Sequence, residues 1–250
     1  MLGRLAAAAE RARHAGGAVL RSAINSQRLW EPQIRRYERS DRRHPPPRGG
    51  IVFTGSSTIR FWRTLARDMA PLPVINRGFG GAHLAHVNAF AARIVLPYAP
   101  AAVVLYCGDN DLSAWTGKRP DTILSDFTRF VCLVHGALPQ ARIYFISIKP
   151  SRLRREQWPA QQEANRAIAD LTRALPRVEY VDVATPMLGG APQPARDLFK
   201  LDGLHLSGAG YALWTSVLRP VLMRDLADLA PAGDEREGPV RAVRAHRSSR

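Results

Sequence analysis

Four short segments of the chain carry polar residues of the types that acyl transfer uses. The first, IVFTGSSTIRFW (51–62), reads as a strand, a tight turn allowed by Gly55, and serines at a helix N-terminus. A hydroxyl exposed there lies beside backbone N–H groups that can hold a developing oxyanion; the same pattern also serves as a plain turn and helix cap. The second, INRGFGGAH (75–83), is a Gly-rich turn after a strand, where missing Cβ atoms let a backbone N–H approach a ligand. Its spacing does not fit G-x-x-x-x-G-K-[ST], and no G-x-G-x-x-G opens on the first strand, which argues against a nucleotide site. The third, LYCGDNDLS (105–113), places Asp109, Asn110 and Asp111 after Gly108. Asn110 supplies a neutral N–H donor suited to an oxyanion, whereas the two aspartates serve equally as caps, turn formers or metal ligands. The fourth, LDGLHLSGAGYALW (201–214), sets Asp202 three residues before His205 and just ahead of a helix start. That spacing lets a carboxylate orient an imidazole and leaves the other ring nitrogen free for a hydroxyl.

The elements that must carry these segments follow from hydrophobic patterning. Apolar runs at 51–54, 73–76, 101–106, 142–147 and 178–183 read as strands, and amphipathic stretches at 58–69, 83–95, 120–137, 160–175 and 207–228 read as helices. Five strand-then-helix units imply a parallel sheet covered by helices on both faces, a three-layer α/β/α sandwich of flavodoxin-like type. Ligand chemistry in such folds lies at the carboxyl ends of the strands; three of the segments follow strands one, two and three, and the fourth falls at the entry to the last helix.

Outside this core, residues 1–49 read as a basic helical extension, with helices at 4–24 and 28–40 ended by PPPRGG (45–50). The catalytic domain is expected over 50–229, and the charged, Gly- and Pro-rich stretch 230–250 reads as a disordered tail. The net charge of +15 is uneven: residues 1–50 hold 11 Arg against 4 acids. Net charge speaks to association rather than chemistry. The N-terminus is too broken by charge for a secretory segment, and no run reaches the roughly 20 apolar residues of a membrane span. A cytoplasmic protein is the simplest expectation, with peripheral membrane contact through the N-terminal extension as a second one. Cys107 and Cys132 read as buried reduced thiols rather than a disulfide framework.

Taken together, Gly55-Ser56-Ser57, Asn76-x-Gly78-x-x-Gly81, Gly108-x-Asn110-Asp111 and Asp202-x-x-His205 resemble, in order and in context, the four blocks of the SGNH (GDSL-like) hydrolases. The branch resembled has Gly-Ser-Ser where Gly-Asp-Ser is usual, and the resemblance spans roughly residues 28–225. It implies a serine esterase with Ser57 as nucleophile, His205 as general base and Asp202 orienting it. It further implies an oxyanion hole made of the Ser57 and Gly81 backbone N–H groups and the Asn110 side chain. No metal and no organic cofactor is implied.

The substrate implied is a small ester: an acylated sugar, a lysolipid, a thioester or a simple ester, with no obligatory nucleic acid. Lys149, Arg152, Arg154 and Arg155 follow the fourth strand on the side where the site should open. Lys149 and Arg152 are accordingly expected to touch substrate and to favour acidic esters, although a solvated basic loop has the same composition. Two rival readings remain: a non-catalytic protein binding nucleic acid or anionic membrane on a degenerate hydrolase scaffold, and a metal-dependent phosphoesterase built on Asp109, Asp111 and Asp202.

Overall fold

The computed structural model describes residues 27–230, so the helix expected at 4–24 and nearly all of the tail lie outside the described residues. Five parallel strands, β1 (Ile51–Gly55), β2 (Val74–Gly78), β3 (Ala102–Tyr106), β4 (Arg142–Ile146) and β5 (Val178–Val181), form one sheet in the order β2-β1-β3-β4-β5. All five apolar runs became strands within a residue or two of the expected bounds. β1 and β3 are buried along their whole length, as continuous apolar runs in a doubly covered sheet must be.

Alternate residues of the strands feed two separate cores. Val52, Val103, Leu105, Ile143 and Phe145 face one layer of helices, and Ile51, Phe53, Val104, Tyr106 and Ile146 face the other. The first layer contains α1 (Glu31–Arg43), α4 (Leu84–Ile94), α5 (Pro120–Ala137) and α6 (Trp158–Arg173). The second contains α2 (Ser57–Arg60), α3 (Leu65–Asp68), α7 (Ala184–Leu188) and α8 (Gly208–Leu226). Trp30 and Ile34 pack into the first core, and Asp41 pairs with Arg77 at 2.5 Å, so α1 is fastened to the sheet.

Two expectations need correction. The single helix expected over 58–69 is divided into α2 and α3, because Trp62 turns inward to stack on Tyr211 while its indole N–H and the Thr64 hydroxyl both donate to Asp68. Cys107 is buried, but Cys132 is exposed. The buried stripe of α5 runs through Ile123, Phe127, Phe130 and Val134, at helical spacing, and Cys132 lies off it.

From β1 the chain crosses to β2 on one side, and β3 then enters on the other side of β1, so the sheet has its topological switch point at the ends of β1 and β3. The turn there depends on Gly55, at φ +128°, where a Cβ would lie 1.8 Å from the Tyr106 carbonyl oxygen. Gly55→Ala is therefore expected to lower the unfolding free energy by at least about 3 kcal/mol in urea titration. Gly117→Ala, also at positive φ but facing open space, should cost about 1 kcal/mol. Equal losses at both positions would contradict the steric account.

Candidate active site

Beyond Gly55 the chain passes Ser56 and enters α2 at Ser57, whose N–H, at the first helical position, has no intrahelical acceptor. The Tyr211 hydroxyl donates to the Thr58 carbonyl at 2.9 Å, tying this turn to α8. Ser56 is fully buried and its hydroxyl has no hydrogen-bond partner among the described residues. The Ser57 hydroxyl instead lies 3.0 Å from His205 Nε2.

His205 and Asp202 lie on the loop that precedes α8. Phe199 and Leu206 form an antiparallel bridge across its base, Lys200 N–H donates to the His205 carbonyl at 2.8 Å, and Gly203 N–H to the Lys200 carbonyl at 2.9 Å. Within this ring, Asp202 Oδ1 accepts from the Leu204 and His205 N–H groups, both at 2.9 Å. Its Oδ2 lies 2.6 Å from His205 Nδ1. An ionised carboxylate only accepts, so the Nδ1 carries the proton and Nε2 is left to accept from the Ser57 hydroxyl. Burial would raise the Asp202 carboxyl, but the hydrogen bonds from the His205 ring and the two N–H groups outweigh it and bring it down to about 2. The Phe61 and His205 rings pack edge-to-face, with centroids 5.1 Å apart.

Opposite this pair stand the ends of β2 and β3. Gly81 adopts φ +71°, and a Cβ on it would meet nothing within 4 Å, so the backbone here borders open space. The Asn110 side-chain amide donates to the Ala82 carbonyl at 3.1 Å, while its Oδ1 accepts from Arg154 Nη2 at 3.0 Å. Only one orientation of the amide satisfies both contacts, and it leaves one Asn110 N–H uncommitted.

Arg154 is the residue whose place the sequence did not reveal. Besides Asn110, it donates to the Asp109 carbonyl at 2.6 Å and lies 3.5 Å from the Asp109 carboxylate. Lys149 meets the same carboxylate at 3.2 Å, with its side chain wholly buried beneath the site. Lys149 is thus unavailable to substrate, a correction to the expectation that it would line the opening. Burial opposes ionisation of Asp109, but Lys149 and Arg154 outweigh it and hold its carboxyl below the ordinary range. Asp111 is engaged elsewhere, with Lys118 at 2.8 Å and the Leu84 N–H. Among the described residues no three His, Cys, Asp or Glu side chains converge as metal ligands would. Nor is any described helix long and apolar enough to cross a membrane. Arg152 does face open space, in a cavity flanking Asp202. His83 is buried beside Asp111, and burial holds its imidazole down to about 4.

Residues 49–213 match the GDSL-like lipase/acylhydrolase family, and the chain belongs to it. It is an SGNH-type ester hydrolase. A GDSL-like lipase from Bacteroides thetaiotaomicron is 21% identical with a TM-score of 0.66, covering 77% of this chain and 98% of its own. A Streptococcus pneumonia protein whose name refers to platelet activating factor is 23% identical with a TM-score of 0.68, covering 82% and 98%. A carbohydrate esterase of family 3 from Talaromyces cellulolyticus is 16% identical with a TM-score of 0.58, covering 72% and 99%. At these identities the likeness is one of fold. No curated protein matches the sequence.

The buried pair beneath Asn110 has a measurable consequence. Lys149→Met leaves the Asp109 carboxylate buried with Arg154 as its remaining cation, and should lower the unfolding free energy by about 3 kcal/mol in denaturant titration. Unchanged stability would mean that the pair is not an ion pair.

Proposed function

We propose that this ester hydrolase works through an acyl-enzyme on Ser57. The observation that supports it is the continuous contact from Asp202 through His205 to Ser57, at 2.6 and 3.0 Å, on a fold whose switch point lies at the same place. Ser57 Oγ attacks the ester carbonyl carbon while His205 Nε2 accepts its proton. Asp202 holds the imidazole in the required tautomer and stabilises the imidazolium. The carbonyl oxygen becomes an oxyanion, met by the Ser57 N–H, the Gly81 N–H and the uncommitted Asn110 N–H. As the tetrahedral intermediate collapses, His205 returns the proton to the departing alcohol. Water, deprotonated by His205, then attacks the acyl-enzyme and releases the acid and free Ser57.

In this mechanism Arg154 is a positioning residue. By donating to Asn110 Oδ1 it fixes which end of the amide faces the cleft and draws electron density away from the donating N–H. Small esters, including acylated sugars and short simple esters, suit a site partly open to solvent, where His205 keeps 24% of its side-chain surface exposed.

Two measurements test this reading with nitrophenyl acetate. Ser57→Ala should lower kcat by about 1,000-fold or more, whereas Ser56→Ala stays within about tenfold of the parent. Loss of activity in Ser56→Ala alone would overturn the assignment. Arg154→Ala should lower kcat by about 10- to 100-fold with KM little changed, because the oxyanion donor acts only in the transition state. Arg154→Lys should recover part of that loss. An effect confined to KM would contradict the positioning role.

A further inference from the structure

We propose that Arg152, Arg196 and Lys200 form a subsite for an anionic group, a phosphate or a carboxylate, carried on the alcohol portion of the ester. The inference rests on His205 being the proton donor to the departing alcohol. That step places the alcohol against the imidazole, so whatever flanks His205 meets the rest of the leaving group.

On the Asp202 side of His205 the surroundings are cationic. A cavity of about 410 Å³ lies beside Asp202, lined by Arg152, Arg196 and Lys200 together with Leu153, Phe199 and Leu201. This volume falls within the range of small-molecule sites, about 300–1,000 Å³. Phe61 links the cavity to the base: its ring and that of His205 meet edge-to-face with centroids 5.1 Å apart, and the Lys200 ammonium lies 5.3 Å from the Phe61 ring centroid.

The three cations are also uncommitted. Among the described residues none of them forms an ion pair, in contrast to Lys149 and Arg154, which Asp109 occupies. Arg152 is steadied by donating to the Pro194 carbonyl at 3.3 Å, and Arg196 and Lys200 are exposed. The one carboxylate in the lining, Asp202, is occupied by His205 and by the Leu204 and His205 N–H groups. An anion entering the cavity thus meets three free cations.

The backbone holds this arrangement against the base. Lys200 N–H donates to the His205 carbonyl at 2.8 Å, and Leu153 N–H donates to the Gly203 carbonyl at 3.1 Å. The Arg152 loop and the Lys200 loop are therefore fixed relative to His205 and to each other. With the backbone of both loops held in place, an anion has only side chains to order when it binds.

Matched substrates test the proposal. For the full chain at low salt, kcat/KM is measured for acetylated glycerol 3-phosphate against acetylated glycerol, and for acetylated glucuronate against acetylated glucose. A preference of about tenfold or more for the anionic member is expected in at least one pair, falling as NaCl is raised. The pair that shows it identifies phosphate or carboxylate as the favoured group. The double substitution Arg196→Glu with Lys200→Glu should collapse that preference, mainly through KM. Arg155→Glu, a charge reversal on an exposed side chain outside the cavity, should keep it. Hydrolysis of neutral esters with no anionic preference, or a preference that survives the double substitution, would overturn the subsite and leave the esterase reading standing. No hydrolysis of any ester by the parent would overturn the esterase reading itself.

Discussion

A hydrogen bond of 3.0 Å joins Ser57 to His205 across 148 residues of chain, and the arrangement of the site depends on it. A contact of this kind contributes only about 1 kcal/mol and cannot hold two distant segments in register by itself. The scaffold supplies the precision. Ser57 is fixed by the Gly55 turn at the end of β1, a strand that lies between β2 and β3 and is buried along its whole length. His205 is fixed by a loop that closes on itself through Lys200, Gly203 and Leu206, and that leads directly into α8. The Tyr211 hydroxyl, returning from α8 to Thr58, completes the ring between the two segments.

Five basic residues near the site divide into two groups with different consequences. Lys149 and Arg154 are drawn under the site by Asp109, where burial makes a missing partner expensive and the pair strongly directional. Through Arg154 this group reaches Asn110 and sets the direction of its amide. Arg152, Arg196 and Lys200 remain unpaired on the other side of the site, beside His205 and Asp202. A formal charge of +15 carries no trace of this division, since one group stabilises the protein's own anion and the other is open to an anion from outside.

Much of the fold was legible in the chain because its strongest signals are local. Apolar runs separated by amphipathic stretches fixed five strands and the major helices, and the side chains placed close together, Ser57 with His205 and Asp202, came from segments with turn glycines and short polar spacings. The pairing of Arg154 with Asn110 was not legible, for it joins the end of β4 to the end of β3 through a side chain that spacing cannot orient. Lys149 was misjudged for the same reason: a lysine after a strand reads as exposed until the buried carboxylate opposite is known. The break at Phe61–Thr64 depended on Trp62 finding Tyr211, which is 149 residues farther along the chain. The exposure of Cys132 was legible in principle, from the stripe of Ile123, Phe127, Phe130 and Val134.

The central claim is that Ser57, and not the adjacent Ser56, forms the covalent intermediate. A fluorophosphonate that mimics the tetrahedral intermediate would label the active protein, and trypsin would release the labelled serine in the peptide GGIVFTGSSTIR, residues 49–60. Fragmentation of that peptide in a mass spectrometer separates the two positions. The adduct is expected on Ser57. An adduct on Ser56, or ester turnover by a protein that takes no adduct on this peptide, would contradict the account.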